Sequence, residues 1–377
     1  MDQVRDPILK RIHPPAIPVA IVAAGAMVFA TAPAYAQALK GKTISIIVGY
    51  SAGGGTDTAA RLIASHLTKH VAGNPKIIVR NMPGGGGIRA HNFVYEKAKP
   101  DGQTLLYAPN AIQGQLLKRP GVRFDYAKFT ILAPFKTAPS VIYGRTDMVP
   151  GGLKKPADIM KAPKLVFAGL RPTSSLAIWS VASMNLLGVK YRFVSGYRGT
   201  SKMVKAVTSG EANISATSLQ GIRASVEPTL VKKGIGKLLW YFPVKDDDGK
   251  WIKSPNTGSI PTFLEVYKQV HGKDPSGAEW DRFNYWADVF SLATTFLMGP
   301  PGMDKAATAD LRKGVAAMIA DKAYVAAQKK TFGFAATLAN ADKVSARMNK
   351  IINTPSPHVA YWKKTLGGLA PKKKKKK

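Results

Sequence analysis

The sequence contains no cysteine, which excludes disulfide staples, thiol nucleophiles and thiolate metal ligands. Without staples, a chain of 377 residues depends on apolar burial, and that length suffices for two domains, each with its own core. Histidine is scarce too, with six in the chain. His66 and His70 stand four apart, a metal-binding spacing on a helix. No Glu-x-x-His motif accompanies them, so a solvated helix face is the better reading and no metal is expected. Acidic residues are few, 22 against 55 basic ones, for a formal charge of +33. The six lysines Lys372–Lys377 contribute +6 and Met1–His13 contributes +1, which leaves +26 on the body. Such a field draws small anions, but also nucleic acid and anionic lipid, so charge alone does not choose. The interleaved aromatic and basic residues of a nucleic-acid stacking platform are not evident, and no nucleic-acid partner is expected. The lysine run reads as a solvated tail, residues 371–377.

Long apolar runs are missing as well, except near the start. Arg5, Lys10 and Arg11 precede an uncharged stretch from Pro14 to Ala34, and Ala34-Tyr35-Ala36 follows. This is the basic, apolar and small-residue order of a secretory signal. Its most apolar part is shorter than the roughly 20 residues a membrane span needs. Cleavage after Ala36 and an exported protein are expected.

Several catalytic signatures are absent. Gly55 is followed by Thr56-Asp57 rather than the Gly-Lys-Ser/Thr of a P-loop. Neither glycine cluster completes Gly-x-Gly-x-x-Gly, and no Gly-x-Ser-x-Gly nucleophile elbow occurs. Ser174 and Ser175 have no partner base in the local pattern. No cofactor is expected, and no enzyme.

What the sequence does have is strands that end in glycine or hydroxyl loops and run into helices. Thr43–Tyr50 is a β-branched strand ending in Ser51-Ala52-Gly53-Gly54-Gly55. Thr56-Asp57 then opens a helix through Ala59, Leu62, Ile63 and Leu67. Lys76–Arg80 is a second strand, Pro83–Gly87 a second glycine loop and Ala90–Lys97 a second helix, with a third strand at Thr104–Tyr107. This order predicts a parallel, doubly wound sheet. It repeats at Leu165–Ala168, the loop Gly169–Ser175, a helix Leu176–Leu187 and strand Tyr191–Val194. The loop Gly196–Thr200, a helix Ser201–Thr208 and strands at Asn213–Ala216 and Lys237–Tyr241 complete the second unit. Thr262–Val270 is helical, His271–Asp281 a polar insertion and Phe290–Met298 an apolar strand. Helices follow at Asp304–Ala320, Ala323–Lys330 and Ala341–Ile352, packing back on the first domain.

These loops suit an anion. The first amides of a helix lack intrahelical partners and carry partial positive charge, and glycine lets a guest approach the backbone. Open α/β sheets bind ligands beyond the carboxyl ends of their strands. Asp57 fits a helix cap better than a ligand contact. Among the tryptophans Trp179, Trp240, Trp280 and Trp286, most belong to the core and one walls a cleft.

Taken in order, Ile46–Tyr50 with Gly53–Asp57, Asn81–Gly87, Lys99–Leu105, Gly196–Thr200 with Gly210-Glu211, Ile260–Thr262 and Gly299–Gly302 carry a resemblance. From about Lys40 to Leu366 the chain resembles the periplasmic receptors of tripartite tricarboxylate transporters, the Bug or TctC-like proteins. The resemblance implies two doubly wound α/β domains joined by a two-crossing hinge, a type II periplasmic-binding-protein fold. Signal peptide 1–36, a discontinuous first domain (37–141 and 242–370) and a second domain (142–241) would follow. It also implies a monomer that captures a small di- or tricarboxylate, or a related acid, for a membrane permease. Carried over to this sequence, the ligand contacts are Gly53, Gly54, Gly55, Thr56, Asp57, Gly84, Gly85, Gly86, Thr173, Ser174, Ser175 and the stretch Tyr197, Arg198, Gly199. Asn110, at the end of the third strand, and Arg171, an added cation, join them. Ser51 and Ala52 replace prolines frequent in the family, and Ala212-Asn213 replaces its Val-Asp. The lost acid and the added arginine make the site more positive, which suits a multiply charged anion. The alternatives are a hydrolase or transferase on the same sheet, an orphan receptor feeding a sensor, and a polyanion-binding surface protein.

Overall fold

The computed structural model describes residues 38–369 apart from Gly54, Thr137, Ala138, Arg198 and Asp247. The expected signal segment and lysine tail lie outside the described residues. In strand β1 (Thr43–Val48), Ile44, Ile46 and Val48 enter one apolar cluster while Ile47 enters another. A strand covered on both faces needs helices above and below, which the following elements provide. They are α1 (Gly55–Leu67), β2 (Lys76–Asn81), α2 (Ile88–Lys97), β3 (Thr104–Pro109), α3 (Ile112–Leu116) and β4 (Thr130–Lys136). The chain then crosses to β5 (Ser140–Arg145), β6 (Leu165–Ala168), α4 (Ser175–Leu187), β7 (Tyr191–Val194), α5 (Thr200–Thr208) and β8 (Ile214–Ser218). Next come α6 (Leu219–Gly221), a π-helical continuation (Ile222–Val231) and β9 (Gly236–Tyr241).

After β9 the chain returns. A small hairpin, β10 (Val244–Lys245) and β11 (Trp251–Ile252), precedes α7 (Phe263–His271), α8 (Ala278–Ser291) and β12 (Thr295–Gly299). The remainder is α9 (Lys305–Ala320), α10 (Lys322–Phe332), β13 (Thr337–Leu338), α11 (Ala341–Asn353) and α12 (Pro357–Gly368). The strands form a six-stranded sheet, β13-β4-β12-β3-β1-β2, and a five-stranded sheet, β7-β6-β8-β5-β9. The returning β12 and β13 thus complete the first sheet.

Several expectations need correcting. The sheets are mixed rather than parallel: β12 runs antiparallel to β3 and β4, and β5 antiparallel to β8 and β9. Strands β4 and β5 escaped the sequence reading. The apolar run Phe290–Met298 is not one strand, because its first residues end α8 and only Thr295 onward is extended. A short apolar run has no period that separates a buried helix end from a buried strand. Of the polar insertion, the part from Ala278 is already helix α8. Helix α12 was not anticipated; its fully buried Trp362 lies edge-on to Trp286 at 6.4 Å.

The two sheets do not have wholly separate cores. One apolar cluster joins Leu106, Ile131 and Phe296 of the first sheet to Ile142, Phe167 and Leu239 of the second, through α4 and α8. Trp179 of α4 stacks on Phe242 (5.0 Å between ring centroids, 9° between planes) and meets Phe283 and Phe290 of α8. Two further clusters are confined to one lobe each or nearly so, and Phe334 of the returning chain reaches into that of the second sheet.

Candidate functional site

Strand register sets the site. In the first sheet Thr295 pairs with both Pro109 and Phe135, which aligns the ends of β3 and β4 with the start of β12. In the second sheet Ser140 pairs with Ser218, at the start of β5 and the end of β8. All five residues line one cavity of about 370 Å³ between the sheets. The start of α1 adds Gly55 and Thr56, that of α4 adds Ser175 and Trp179, and that of α5 adds Thr200. Three helix beginnings from two lobes therefore share one cavity, each bringing amides that lack intrahelical partners, and partial positive charge. Phe242, Phe290, Tyr324, Phe332 and Phe334 also line it. Among the described residues no Asp, Glu, His, Lys or Arg lines it. Burial pushes the hydroxyl pKa values of Tyr107 and Tyr324 upward, so both stay neutral near pH 7. The described lining thus offers neutral donors and aromatic faces, without a side-chain base to activate a nucleophile. Gln220, also in the lining, has a buried Oε1 with no partner among the described residues.

Of the residues expected at the site, Gly55, Thr56, Asn110 and Ser175 meet there. Asn110 is committed to structure: Nδ2 donates to the carbonyls of Val289 (3.0 Å) and Ala293 (3.2 Å), and Oδ1 accepts from the Ile112 amide (3.1 Å). Asp57 is a buried bracket beneath the first glycine loop. Its carboxylate accepts from the Gly53 amide (2.9 Å), Arg61 Nε (3.0 Å) and Asn81 Nδ2 (2.8 Å). Burial raises its pKa, but these donors outweigh burial and bring it down to about 2. Gly54 and Arg198 lie outside the described residues.

The second glycine loop goes elsewhere. Gly84 and Gly85 line a shallow surface depression with Met82, Arg89 and Arg123. Arg171 and Thr173 line another with Arg119 and Lys363. Arg171 Nη1 (3.0 Å) and Arg119 Nη2 (2.6 Å) both donate to the Gly85 carbonyl, so a second-lobe arginine grips a first-lobe loop. Gly86 has φ +66°, a conformation that favours glycine, and a Cβ there would push the flexible Arg171 guanidinium aside. Beneath the loop, His91 is fully enclosed. Its Nδ1 must donate to the Gly87 carbonyl (2.8 Å), which leaves Nε2 to accept from the Tyr126 hydroxyl (2.8 Å). Burial lowers its pKa to about 4, only partly offset by the bond to Gly87.

The other expected residues serve the helix starts rather than the cavity. Ser174 caps α4, accepting from the Ala177 amide (3.2 Å) and donating to the Arg171 carbonyl (2.9 Å). Gly199 caps α5 with φ 112°. The Tyr197 hydroxyl donates to Glu211 (2.6 Å); burial first and this carboxylate second push its pKa up to about 12. His66 and His70 diverge: His66 meets Tyr324 edge-on at 5.4 Å, while His70 bonds Asp321 at 2.9 Å. Sequence reasoning missed most of the aromatic lining. Thr200 was within reach, standing one residue beyond the expected Gly199, and the closely spaced Phe332 and Phe334 were a visible signal.

No protein-family model matches the chain. A UPF0065 protein of Bordetella pertussis is 27% identical over 210 residues, 54% of this chain and 63% of that protein. The match therefore spans less than two thirds of that relative's length. A TctC solute-binding protein from Polaromonas superposes with a TM-score of 0.59 at 18% identity, covering 87% of this chain and 98% of that one. The fold is that of a TctC-type binding protein. The Rhodopseudomonas palustris protein Rpa4515, solved with adipate, superposes with a TM-score of 0.60 at 19% identity over 87% of this chain and 97% of that one. The resemblance read from the ordered motifs therefore holds at the level of fold, with a UPF0065 relative alongside it.

Proposed function

We propose that this TctC-like chain is an extracytoplasmic solute-binding protein that captures a small organic carboxylate between its lobes and does no chemistry on it. The observation that carries this reading is the convergence of the starts of α1, α4 and α5, from both lobes, on one cavity. A carboxylate there is held by backbone donors and hydroxyls, and the described lining supplies no titratable base. The adipate bound to Rpa4515 supports a carboxylate guest. The signal pattern before Gln37 supports export, with cleavage after Ala36 and a periplasmic, monomeric receptor that delivers its guest to a tripartite-type permease. Residues 142–241, with the start of β5 from Ser140, act as the second domain of a hinge with crossings before Ser140 and after Tyr241. A guest that touches both lobes favours the closed state by its differential affinity.

Thermal denaturation across mono-, di- and tricarboxylates and aromatic acids tests the reading on ligand-free protein. Carboxylates that bind the native state raise the melting temperature with concentration. A flat response across the whole set, with no acid recovered by mass spectrometry after gentle purification, would overturn it.

A further inference from the structure

We infer that the chain carries a second anion site, separate from the interlobe cavity, where Arg119, Arg171 and Lys363 take a phosphate dianion, free or as a small monoester. It stands apart from the carboxylate reading and does not need it. These three cations line one depression of about 390 Å³. They reach it from distant stretches of chain: Arg119 follows α3, Arg171 follows β6, and Lys363 lies on α12. Both arginines donate to one oxygen, the Gly85 carbonyl, at 2.6 Å from Arg119 Nη2 and 3.0 Å from Arg171 Nη1. Two guanidinium groups that share an acceptor are close neighbours, and a carbonyl dipole does not offset two full charges. Elsewhere the fold pairs its arginines: Arg61 with Asp57, Arg123 with Glu96, Arg145 with Asp147 and Arg312 with Asp342. Among the described residues no carboxylate pairs with Arg119, Arg171 or Lys363.

The cations are placed before any ligand arrives. Arg171 packs against the bare α-carbon of Gly86, where a Cβ would meet its guanidinium. A guanidinium carries several N–H donors, and each of these two spends one on Gly85. Groups already held together lose little freedom on binding. Phosphate fits the set by charge and by geometry. Its oxygens can accept from two arginine forks and an ammonium at once, and a dianion balances most of the three charges. Thr173, also in the lining, adds a hydroxyl. Leu117, Pro120, Pro172 and Leu366 line the rest, which leaves apolar surface for the organic part of an ester. Arg171 and Lys363 are exposed, so affinity should be modest and should fall with salt.

Titration calorimetry on the full chain tests the site in dilute chloride buffer at about pH 8, where phosphate and its monoesters are dianions. Inorganic phosphate should bind with a Kd of about 1 mM or tighter. Arg119→Gln and Arg171→Gln should each weaken it about tenfold or more, and Lys363→Gln about threefold. Lys232→Gln removes the same charge from an exposed lysine that lines neither this depression nor the cavity, and should weaken it less than about twofold. Gly55→Ala, which alters the cavity instead, should also leave phosphate within about twofold. Phenyl phosphate binding about threefold or more tighter than phosphate assigns the site to a monoester, and equal affinities assign it to the free anion. Absence of binding by both probes overturns the site. Equal losses in Lys232→Gln and Arg119→Gln overturn it in favour of the diffuse positive field, and a large loss in Gly55→Ala in favour of the cavity. Should either arginine variant fail to fold by circular dichroism, Lys363→Gln against Lys232→Gln decides.

Discussion

The two glycine loops of the first lobe look alike in sequence and do different work. Both follow a strand, both open a helix, and both present a run of glycines. The first ends at Gly55 and Thr56 in the interlobe cavity, with Asp57 fixing it from below. The second is a bracket: two arginines grip its Gly85 carbonyl and His91 holds Gly87 from beneath. The difference teaches that a glycine loop at a helix start is a capability, and the surrounding surface decides whether a guest or the protein uses it. The supports also differ in chemistry. An ionised, hydrogen-bonded carboxylate props the first loop, and a neutral, buried imidazole props the second.

Acid should therefore separate the two loops. His91 titrates near 4 in the fold against 6.5 when unfolded. As pH falls below 6.5 the unfolded chain takes up this proton first, so stability present above 6.5 is lost down to about pH 4. The loss amounts to about 3 kcal/mol. Urea unfolding between pH 7 and 4 checks it, and His91→Gln should flatten that slope. Equal slopes in both proteins would remove His91 as the acid-sensitive support. Asp57 is shifted the other way, from 3.8 to about 2. Its contribution is present above 3.8 and lost as pH falls through about 2, so the first loop should outlast the second.

Substitution sharpens the contrast next. Gly86→Ala forces a side chain into a left-handed conformation and against Arg171, at a cost of about 2 kcal/mol in denaturant unfolding. Gly55→Ala meets nothing within 4 Å and has no positive φ, so it should change stability by less than about 0.5 kcal/mol. Its effect should appear in carboxylate affinity. A Gly55→Ala variant with weakened folding and unchanged affinity would reverse the roles assigned to the loops.

The smallest effect belongs to the latch. Arg171→Ala removes one exposed hydrogen bond, worth about 1 kcal/mol or less, and should leave carboxylate affinity within about threefold because the side chain does not line the cavity. A larger loss of affinity would bring Arg171 back to the guest.

Much of the fold was legible because its signals are local. The β-branched run Thr43–Val48, the capping pair Thr262 and Glu265, and the helical spacing of Asp304–Ala320 all specify their elements from within a few residues. Helix α8 was not legible, since its aromatic residues face α4, the hairpin and α12 at once and leave no clean amphipathic stripe. Strand β5 was hidden for a related reason: it pairs antiparallel with two partners and lies outside the β-loop-α rhythm. At the site, helix starts could be named, but not their direction. Ser174 and Ser175 are neighbours, yet Ser174 caps α4 while Ser175 faces the cavity.

By itself the sequence determined that this chain folds as two β-loop-α repeats with polar helix starts, because caps, glycine turns and β-branched strands act over a few bonds. Only the tertiary structure decided which of those starts face one another and what else lines the space between them. Phe135, Trp179, Phe290 and Phe334 come from four distant stretches of chain. Their meeting follows from strand register and from a core shared across α4 and α8, and neither has a local signature.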